Sequence, residues 1–296
     1  MIAFAKSDRL SPSVKPKAKS FIEAERNGKK VRWCLIFFQL GDFFVVTTID
    51  EMVKMGLHFG HHARNWNPKM APYIHSKRNG VHIIDLIQTY SYLKKASQFL
   101  TKSAAQGKTF LFVGTKRQAT RLIAQAAVDS QSFYINQRWL GGMLSNWKTM
   151  TLSIIKLNEL EVREKYGGFE KLPKKEAALL RKQKERLDKY LGGVKQMGRI
   201  PDVLIIIGQP NEMNAVRECQ KLGRQNVTIL DTDCDPSLAD FFVPANDDSV
   251  PSLTFLLTTF VKAILKGRAM LEEKKGAKEG AVVQRRSRSL PLRVRR

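Results

Sequence analysis

The sequence lacks the features of a secreted or membrane-spanning protein. It has only three cysteines, Cys34, Cys219 and Cys234, an odd number without paired spacing. This pattern predicts free thiols in a reducing compartment instead of a disulfide framework. No apolar run reaches the roughly 18 residues that a membrane span needs, and the longest, which begins at Trp33, is interrupted by polar residues. We therefore expect no membrane partner.

Acidic residues are scarce and unevenly placed. The 296 residues include 27 Asp and Glu against 51 Lys and Arg, a formal net charge of +24. Residues 51–150 hold 14 basic and 3 acidic side chains, whereas residues 201–260 hold 3 basic and 9 acidic ones. Such an excess attracts polyanions and exceeds what solubility needs. One face is expected to meet a polyanion while another faces away, although segments that interleave in space would cancel each other's charge.

Glycine-rich phosphate loops are also missing. The turn after residues 109–114 contains one glycine, Gly114, followed by Thr115 and Lys116. A dinucleotide-binding turn needs several glycines, and a Walker loop needs a longer glycine-rich cradle. We therefore predict no cofactor and no small-molecule substrate. Lys116 and Arg117, at the start of a helix, can still meet a nucleic-acid phosphate.

Two segments resemble metal sites only in part. Residues 231–236 open like a calcium loop but lack the glycine at position six and the glutamate at position twelve. His58, His61 and His62 can hydrogen-bond in a turn, contact RNA or share a metal, and zinc would need further ligands that the spacing does not supply. No nucleophile or carboxylate lies near them in the sequence, so catalysis is poorly supported. We predict no metal.

Apolar runs alternate with helical periodicity from Val81 onwards. The predicted strands are residues 81–87, 109–114, 132–136, 202–208, 227–231 and 241–246. Helical patterns with apolar positions at i+3 and i+4 separate most of them. This alternation predicts an α/β fold with a parallel sheet flanked by helices.

Residues 148–200 interrupt the alternation and divide the α/β domain into residues 49–147 and 201–273. They contain two helical patterns with narrow apolar stripes and charged backs, which predict an inserted antiparallel coiled-coil hairpin. A self-contained stripe would make the insert dispensable for folding of the sheet domain. Residues 1–48 are predicted to be a basic N-terminal extension, of which residues 1 to about 32 are flexible and either a transit peptide or a retained arm. Residues 274–296 are predicted to be a disordered basic tail.

Several blocks resemble a known family. "HFGHHARNWNPKMAPYIHSKRNGVHIIDL", "LFVGTKRQA", "YINQRWLGGMLSNW" and "DTDCDPSLADFFVPANDDS" are similar to the second protein of the bacterial-type small ribosomal subunit, the S-two family. The resemblance covers roughly residues 49–271 in the right order. The variants "NPKMAPYI" and "INQRWLGGML" look most like cyanobacterial and plastid members.

The resemblance implies a Rossmann-like α/β domain with a coiled-coil hairpin and a structural role instead of an enzymatic one. The family binds small-subunit rRNA between the head and body of the subunit, contacts other ribosomal proteins and, in bacteria, helps to dock the mRNA-binding S-one protein. The expected location is the ribosome of the plastid stroma, or alternatively the cyanobacterial cytoplasm. The competing hypotheses are a nucleotide-dependent α/β enzyme acting on RNA, which would need an acid–base pair or phosphate cradle, and a free RNA-binding module.

Cationic, amide and aromatic side chains are the candidates for RNA contact, because they suit phosphate and bases. The predicted RNA-binding residues are His58, His61, His62, Arg64, Trp66, Asn67, Lys69, Lys77, Arg78, Lys116, Arg117, Arg138, Trp139 and Asn146.

Overall fold

The computed structural model describes residues 48–170 and 172–288, with side chains described as far as residue 274. The described residues belong to one compact unit, Thr47–Arg296. The predicted N-terminal extension, apart from Thr48, lies outside the described residues, as do residues 289–296 of the predicted tail.

From Val81 onwards the elements follow the order that the sequence predicts, whereas the elements before Val81 are not predicted. In chain order they are α1 (Ile49–Lys54), β1 (Phe59–His62), β2 (Ile74–Arg78), β3 (Val81–Ile84), α2 (Leu86–Ala105), β4 (Phe110–Val113), α3 (Thr120–Asp129), β5 (Phe133–Ile135), α4 (Trp147–Lys165), α5 (Lys174–Leu191), β6 (Val203–Ile207), α6 (Met213–Lys221), β7 (Gln225–Leu230), β8 (Phe241–Pro244) and α7 (Val250–Arg288). Short 3₁₀ helices cover Pro68–Tyr73, Gly192–Val194 and Pro236–Leu238.

Five strands form one parallel sheet in the order β5-β4-β6-β7-β8. The adjacent inner strands β4 and β6 are buried along their whole length. Their sequences are continuous apolar runs because both faces of each strand are covered. The chain moves one way from β4 to β5 and the other way from β6 to β8. This reversal is the doubly wound arrangement, and its switch point lies between β4 and β6. The predicted α/β fold class is therefore confirmed.

Side chains alternate between two cores because successive strand residues point to opposite faces. On β4, Phe110 and Phe112 join a core beneath α2, α3 and α7, whereas Leu111 and Val113 join a core beneath α4 and α6. Each fully buried side chain of this size contributes about 1.5–3 kcal/mol relative to exposure. Both faces of the sheet are thus covered by helices.

The strand predicted at residues 81–87 is shorter and lies outside the parallel sheet. β3 pairs antiparallel with β1 and β2 in a separate sheet of order β1-β3-β2. Asn79 and Gly80, with φ of 48° and 78°, form the two-residue turn between β2 and β3. Both residues tolerate positive φ, and Asn-Gly is the preferred pair for such a hairpin turn.

Helices α4 and α5 pack against each other in the segment where the sequence predicts an inserted coiled-coil hairpin, but their apolar stripe is not self-contained. Far from the sheet, Leu160, Phe169 and Ala177 form their own cluster. Near the sheet, Ile154 of α4 and Leu191 of α5 instead belong to the core of the second face. The expectation of an independent stripe is therefore wrong for the base of the hairpin, because that base covers part of the sheet.

Helix α7 extends from Val250 to Arg288, where the sequence predicts a disordered tail after residue 273. Residues 274–288 contain three Lys, three Arg and two Ala against two Gly, and the helix propensity of the first three types favours the helix. Among the described residues one segment, Val250–Lys274, is long and apolar enough to cross a membrane, with a mean hydropathy of 1.3 in its most apolar window, half of which is buried. Phe260 and Ile264 lie in the core, which accounts for this apolar composition.

Candidate nucleic-acid interface and the charged cluster beside it

The largest group of predicted RNA-binding residues lies on or beside the small antiparallel sheet. His62 ends β1, Arg78 ends β2, and Arg64 and Trp66 follow β1 directly. The register pairs both His62 and Arg78 with Val81 of the central strand. The side chains of His62 and Arg78 therefore lie in one row with Val81 on a single face of the sheet.

An aromatic pair with an adjacent cation forms a second row on the opposite face of this sheet, because Lys77 and His82 are the strand neighbours of Arg78 and Val81. Lys77 pairs with His82 across the strands, and the ring of His82 lies 5.1 Å from that of Trp66. Burial, followed by the charge of Lys77, lowers the pKa of His82. The indole of Trp66 is 37% exposed, so a cation and an aromatic surface meet solvent together. This combination suits a phosphate and a base.

Several of the predicted cations are free to bind an anion. Arg64, Lys77, Arg78, Arg117 and Arg138 are exposed, and no acidic group in the described ranges forms a salt bridge with any of them. An exposed cation keeps most of its hydration until it meets a partner, so these five can act in phosphate binding.

Asn67 and Lys69 instead connect the N-terminal segment to the loop after β7. The Asn67 carboxamide oxygen accepts the backbone N–H of Lys69 at 3.0 Å and begins the 3₁₀ helix Pro68–Tyr73. The Lys69 ammonium donates to Asp235 Oδ2 at 2.6 Å and to Ser237 Oγ at 3.2 Å. Burial raises the pKa of Asp235, but the bonds from Lys69 and Ser237 outweigh it and lower that pKa overall.

His61 has carboxylate partners that its sequence neighbourhood does not reveal. Its Nδ1 lies 3.0 Å from Asp231 Oδ2 and its Nε2 lies 3.3 Å from Asp248 Oδ2. The hydrogen bond with Asp231 raises the pKa of His61 to about 9 against the opposing effect of burial. His61 is therefore charged at neutral pH, and its charge is neutralised inside the protein.

Lys116 is also neutralised internally. Its ammonium lies 2.5 Å from Asp247 Oδ1 and 2.8 Å from Asp248 Oδ1, and the side chain is only 11% exposed. Burial opposes the charge of Lys116, but the carboxylates outweigh it and raise the pKa. Burial and then Asp231 raise the pKa of Asp247 to about 7, although Lys116 works against both. A phosphate would have to compete with these carboxylates for Lys116.

This ion-pair cluster lies at the switch point, where doubly wound proteins bind their ligands. A cavity of about 480 Å³ is lined there by residues 115–118 after β4, Pro210 and Asn211 after β6, and His61, Asp233 and Asp248. Lys116 passes close to Gly208, since a Cβ at Gly208 would lie 3.0 Å from Lys116 Cε. The crevice thus holds the protein's own lysine instead of a glycine-rich phosphate cradle.

One imidazole and three carboxylates could hold a metal ion in this cluster, provided that the ion displaces the proton of His61 and the ammonium of Lys116. One donor atom from each of His61, Asp231, Asp247 and Asp248 lies within 4.8 Å of the others. Asp247 is fully buried, and its Oδ2 has no hydrogen-bond partner in the described structure. Mixed imidazole and carboxylate ligands suit Zn²⁺ or Mn²⁺. The sequence prediction of no metal rested on missing third and fourth ligands, and the fold brings such ligands together.

The carboxylate of Glu218 accepts hydrogen bonds from the loop that contains Arg138, Trp139 and Asn146. Trp139 is 6% exposed and its Nε1 donates to Glu218 Oε1 at 3.1 Å. The backbone N–H groups of residues 142, 144 and 145 also donate to the Glu218 carboxylate, at 2.7, 2.9 and 3.1 Å. Trp139 is therefore already committed to the fold. Arg138 and Asn146 remain exposed at the ends of this loop.

His58 is partly buried and packs against Phe59. Its ring lies 4.1 Å from that of Phe59 at an interplanar angle of 39°. Its Nδ1 is buried without a hydrogen-bond partner among the described atoms, and burial lowers its pKa. A neutral, largely packed histidine offers little to a phosphate. We therefore place His58 with the supporting residues.

Sequence reasoning missed the acidic half of these contacts. Asp231 follows β7, and Asp247 and Asp248 follow β8, while His61 is about 170 residues away. The available signal was their position, because the carboxyl ends of parallel strands meet at one edge of a sheet. Glu218 carried no such signal, since it sits within α6 among other polar residues.

By its fold and charge, the protein is a basic α/β protein with a doubly wound parallel sheet and a helical hairpin between β5 and β6. The family profile described as Ribosomal protein S2 matches residues 52–267. The chain belongs to the ribosomal protein S2 family, as the sequence predicts.

Relatives in plastids and cyanobacteria are similar over most of their length. The chain is 64% identical to small ribosomal subunit protein uS2c of Oltmannsiellopsis viridis, over 77% of this chain and 95% of that relative. It is 54% identical to uS2c of Chlorella vulgaris, over 78% and 86%. It is 52% identical to small ribosomal subunit protein uS2 of Rippkaea orientalis, over 75% and 83%. The chain is accordingly a structural ribosomal protein and not an enzyme, which sets aside the nucleotide-dependent alternative.

Proposed function

We propose that the chain, as a constituent of the small ribosomal subunit, binds small-subunit rRNA through its small antiparallel sheet and the loops beside it. The contact residues are His62, Arg64, Trp66, Lys77 and Arg78, joined by Arg117, Arg138 and Asn146 on neighbouring loops. His61, Asn67, Lys69 and Lys116 hold this surface in place from behind.

The observation that carries the proposal is a set of exposed cations without acidic partners among the described residues, on both faces of the small sheet and in the turn after β1. Elsewhere on this side of the molecule, Lys69, Lys116 and His61 already have carboxylate partners. Arg64 and Arg78 have none among the described residues, and arginine pairs with phosphate through two parallel hydrogen bonds. The exposed indole of Trp66 adds a flat surface on which an unpaired base can stack.

The test is the double variant Arg64→Gln with Arg78→Gln in the full chain. We expect its affinity for small-subunit rRNA to fall about tenfold near physiological salt, since each exposed contact is worth well under the 1.5–3 kcal/mol of a buried charged hydrogen bond. Incorporation into small subunits should fall with it, while the melting temperature stays unchanged.

A matched control is Lys94→Gln with Lys102→Gln on α2, which removes the same charge from exposed positions on another face. Unchanged binding by this control shows that position matters and not net charge alone. Equal losses from both double variants, or no loss from the arginine variant, would contradict the proposal.

The placement between the head and body of the subunit, and the plastid stroma, also belong to this proposal. Relatives from Oltmannsiellopsis viridis and Chlorella vulgaris that carry the chloroplast form of the name support the plastid. The 52% identity to Rippkaea orientalis keeps the cyanobacterial cytoplasm as the alternative. Co-sedimentation with small subunits from isolated plastids in high salt would support the plastid placement, and a purely free pool would contradict it.

We further propose that an S-one protein docks near α1. Ile49, Val53, Met55 and Phe59 are large apolar side chains that are 40–51% exposed on α1 and at the start of β1. Clustered apolar exposure of this kind is typical of protein contacts. Val53→Ser with Phe59→Ser should weaken capture of purified S-one protein and leave rRNA affinity unchanged, and unaltered capture would contradict this docking site.

A further inference from the structure

The outer face of α5 carries a continuous basic stripe outside the proposed interface. At about 100° per residue, six exposed cations fall within an arc of about 140°. They are Lys174, Lys175, Arg181, Lys182, Arg186 and Lys189. The same arc contains one acidic residue, Glu185. From Lys174 to Lys189 the stripe extends about 22 Å along the helix.

Internal ion pairs neutralise much of the remaining charge on the hairpin. Lys195 lies 2.5 Å from both Glu161 and Asp188, and Lys184 pairs with Glu164. Three carboxylates are therefore occupied by two lysines that lie outside the stripe. None of the six stripe cations forms a salt bridge within the described part of the chain. An ordinary solvated helix mixes both signs in similar numbers along its outer face, whereas this one carries six cations and one carboxylate.

The opposite face of α5 is already used for packing. Ala177 and Leu191 are buried, and Leu180 and Leu187 are partly buried against α4 or the core. A helix that lies on a membrane needs a free apolar face opposite its cations. Because α4 and the core cover that face, the stripe is not suited to a lipid surface.

The composition of the stripe also disfavours a protein partner. Between the six cations, Ala178 is the only apolar residue in the arc, and Leu179 lies at its edge. Protein–protein contacts are depleted in lysine and rely on buried aromatic or large aliphatic anchors. A phosphate backbone needs no such anchors, since lysine and arginine neutralise it directly.

We propose that the outer face of α5 is a second RNA-binding surface, which contacts the phosphate backbone without reading sequence. This inference rests on the proposed function, because it assigns the same polyanion to a separate part of the molecule. Backbone contacts fix the position and orientation of a protein on RNA. Two surfaces on different elements would hold the hairpin and the sheet domain on the RNA together.

The test is the triple variant Lys174→Gln, Lys182→Gln and Lys189→Gln in the full chain. Binding to a small-subunit rRNA transcript is measured over a range of salt concentrations. Each lost phosphate contact reduces the log–log slope by about 0.7–0.9, so we expect a slope shallower by about 2–3. Thermal melting should match that of the parent, because these side chains are exposed and form no ion pair in the described structure.

The matched control is Lys148→Gln, Lys156→Gln and Lys165→Gln on α4, three exposed lysines on the same hairpin. It changes net charge equally and should leave the salt slope nearly unchanged. Equal effects from both triple variants would overturn the inference, because charge alone would then explain them. A triple variant on α5 that binds RNA normally but fails to enter small subunits would overturn it in favour of a protein partner.

The two proposals can fail separately. If the α5 variant binds RNA normally while the Arg64 and Arg78 variant binds poorly, the stripe is overturned and the sheet interface stands. If the α5 variant shows the shallower slope while the Arg64 and Arg78 variant binds normally, the sheet interface is overturned and the stripe stands.

Discussion

At the scale of single residues, carboxylates bind some of the predicted RNA-contact side chains and so make them unavailable to RNA. Glu218 holds the indole of Trp139 and the backbone of the loop that follows it. Asp247 and Asp248 hold Lys116 in the same way. A cationic or aromatic side chain in a basic sequence is therefore not a contact residue until the acidic groups around it are known.

Replacing Glu218 with Gln should destabilise the protein and remove part of its acid sensitivity. Burial raises the pKa of Glu218, but the hydrogen bonds of Leu144, Ser145, Trp139 and Gly142 outweigh it and leave that pKa below 4.5. A depressed pKa adds stability above the unfolded value, and this stability is lost as the pH falls through the folded value. We expect a loss of roughly 2–4 kcal/mol at pH 7 by urea unfolding.

The difference between Glu218→Gln and the parent should shrink when unfolding is measured near pH 3. Glu159→Gln is the control, since Glu159 is exposed on α4. It should change the unfolding free energy little at either pH. A pH-independent effect of Glu218→Gln would argue that shape and not charge holds the loop.

A divalent cation should stabilise the cluster at the switch point. His61, Asp231, Asp247 and Asp248 supply the donor atoms, and the unpaired Oδ2 of Asp247 is the atom that most needs a partner. A ligand that binds only the folded state raises the melting temperature with its concentration. We expect added Zn²⁺ or Mn²⁺ to raise it and a chelator to lower it.

The control for that measurement is Asp247→Asn, which keeps the volume but removes the charge of the carboxylate. Its melting temperature should be insensitive to both metal and chelator. If the parent is equally insensitive, the cluster is held by its lysine and histidine alone.

At the scale of elements, the helical hairpin serves two parts of the molecule. Its base covers one face of the sheet, and its outer half packs only on itself. Gly193, just after α5, allows this close approach, since a Cβ there would lie 2.2 Å from the backbone oxygen of Tyr134 on β5. The hairpin is thus anchored by its base.

Replacing residues 148–200 with a short Gly/Ser linker should abolish cooperative unfolding. It would remove five core side chains, namely Ile154, Leu157, Leu191, Val194 and Met197. At about 2 kcal/mol each, the loss is about 10 kcal/mol, which is comparable to the whole stability of a domain.

A shorter deletion of residues 159–184 provides the contrast. It removes most of the outer cluster and keeps the base, so cooperative thermal unfolding should persist. A cooperative transition in the full replacement would show instead that the sheet folds without the hairpin.

At the scale of the whole molecule, the charge distribution predicts strong dependence on salt. The net charge of +24 acts through exposed Lys and Arg on the small sheet and on α5. Each phosphate neutralised contributes about −0.7 to −0.9 to the log–log slope of rRNA affinity against salt. We expect a total slope of about −4 or steeper when rRNA affinity is measured by filter binding. An rRNA affinity that does not change with salt would contradict binding through phosphate contacts.

The sequence by itself determined the family, the chain order of strands and helices from Val81 onwards and the basic character of the molecule. Central strands such as Val203–Ile207 are recognisable because burial on both faces demands an unbroken apolar run. Local chemistry also sufficed for the Asn79–Gly80 turn, since few residues tolerate positive φ.

Only the tertiary structure decided which charges are free. His61 and Asp231 are joined at 3.0 Å although they lie far apart in the chain, and no spacing rule predicts such a pair. The same holds for Trp139 and Glu218, and for Val81–Ile84, whose β-branched pattern does not say which sheet it joins. Periodicity reports how a segment faces a core, whereas partners across the chain depend on how the segments are brought together.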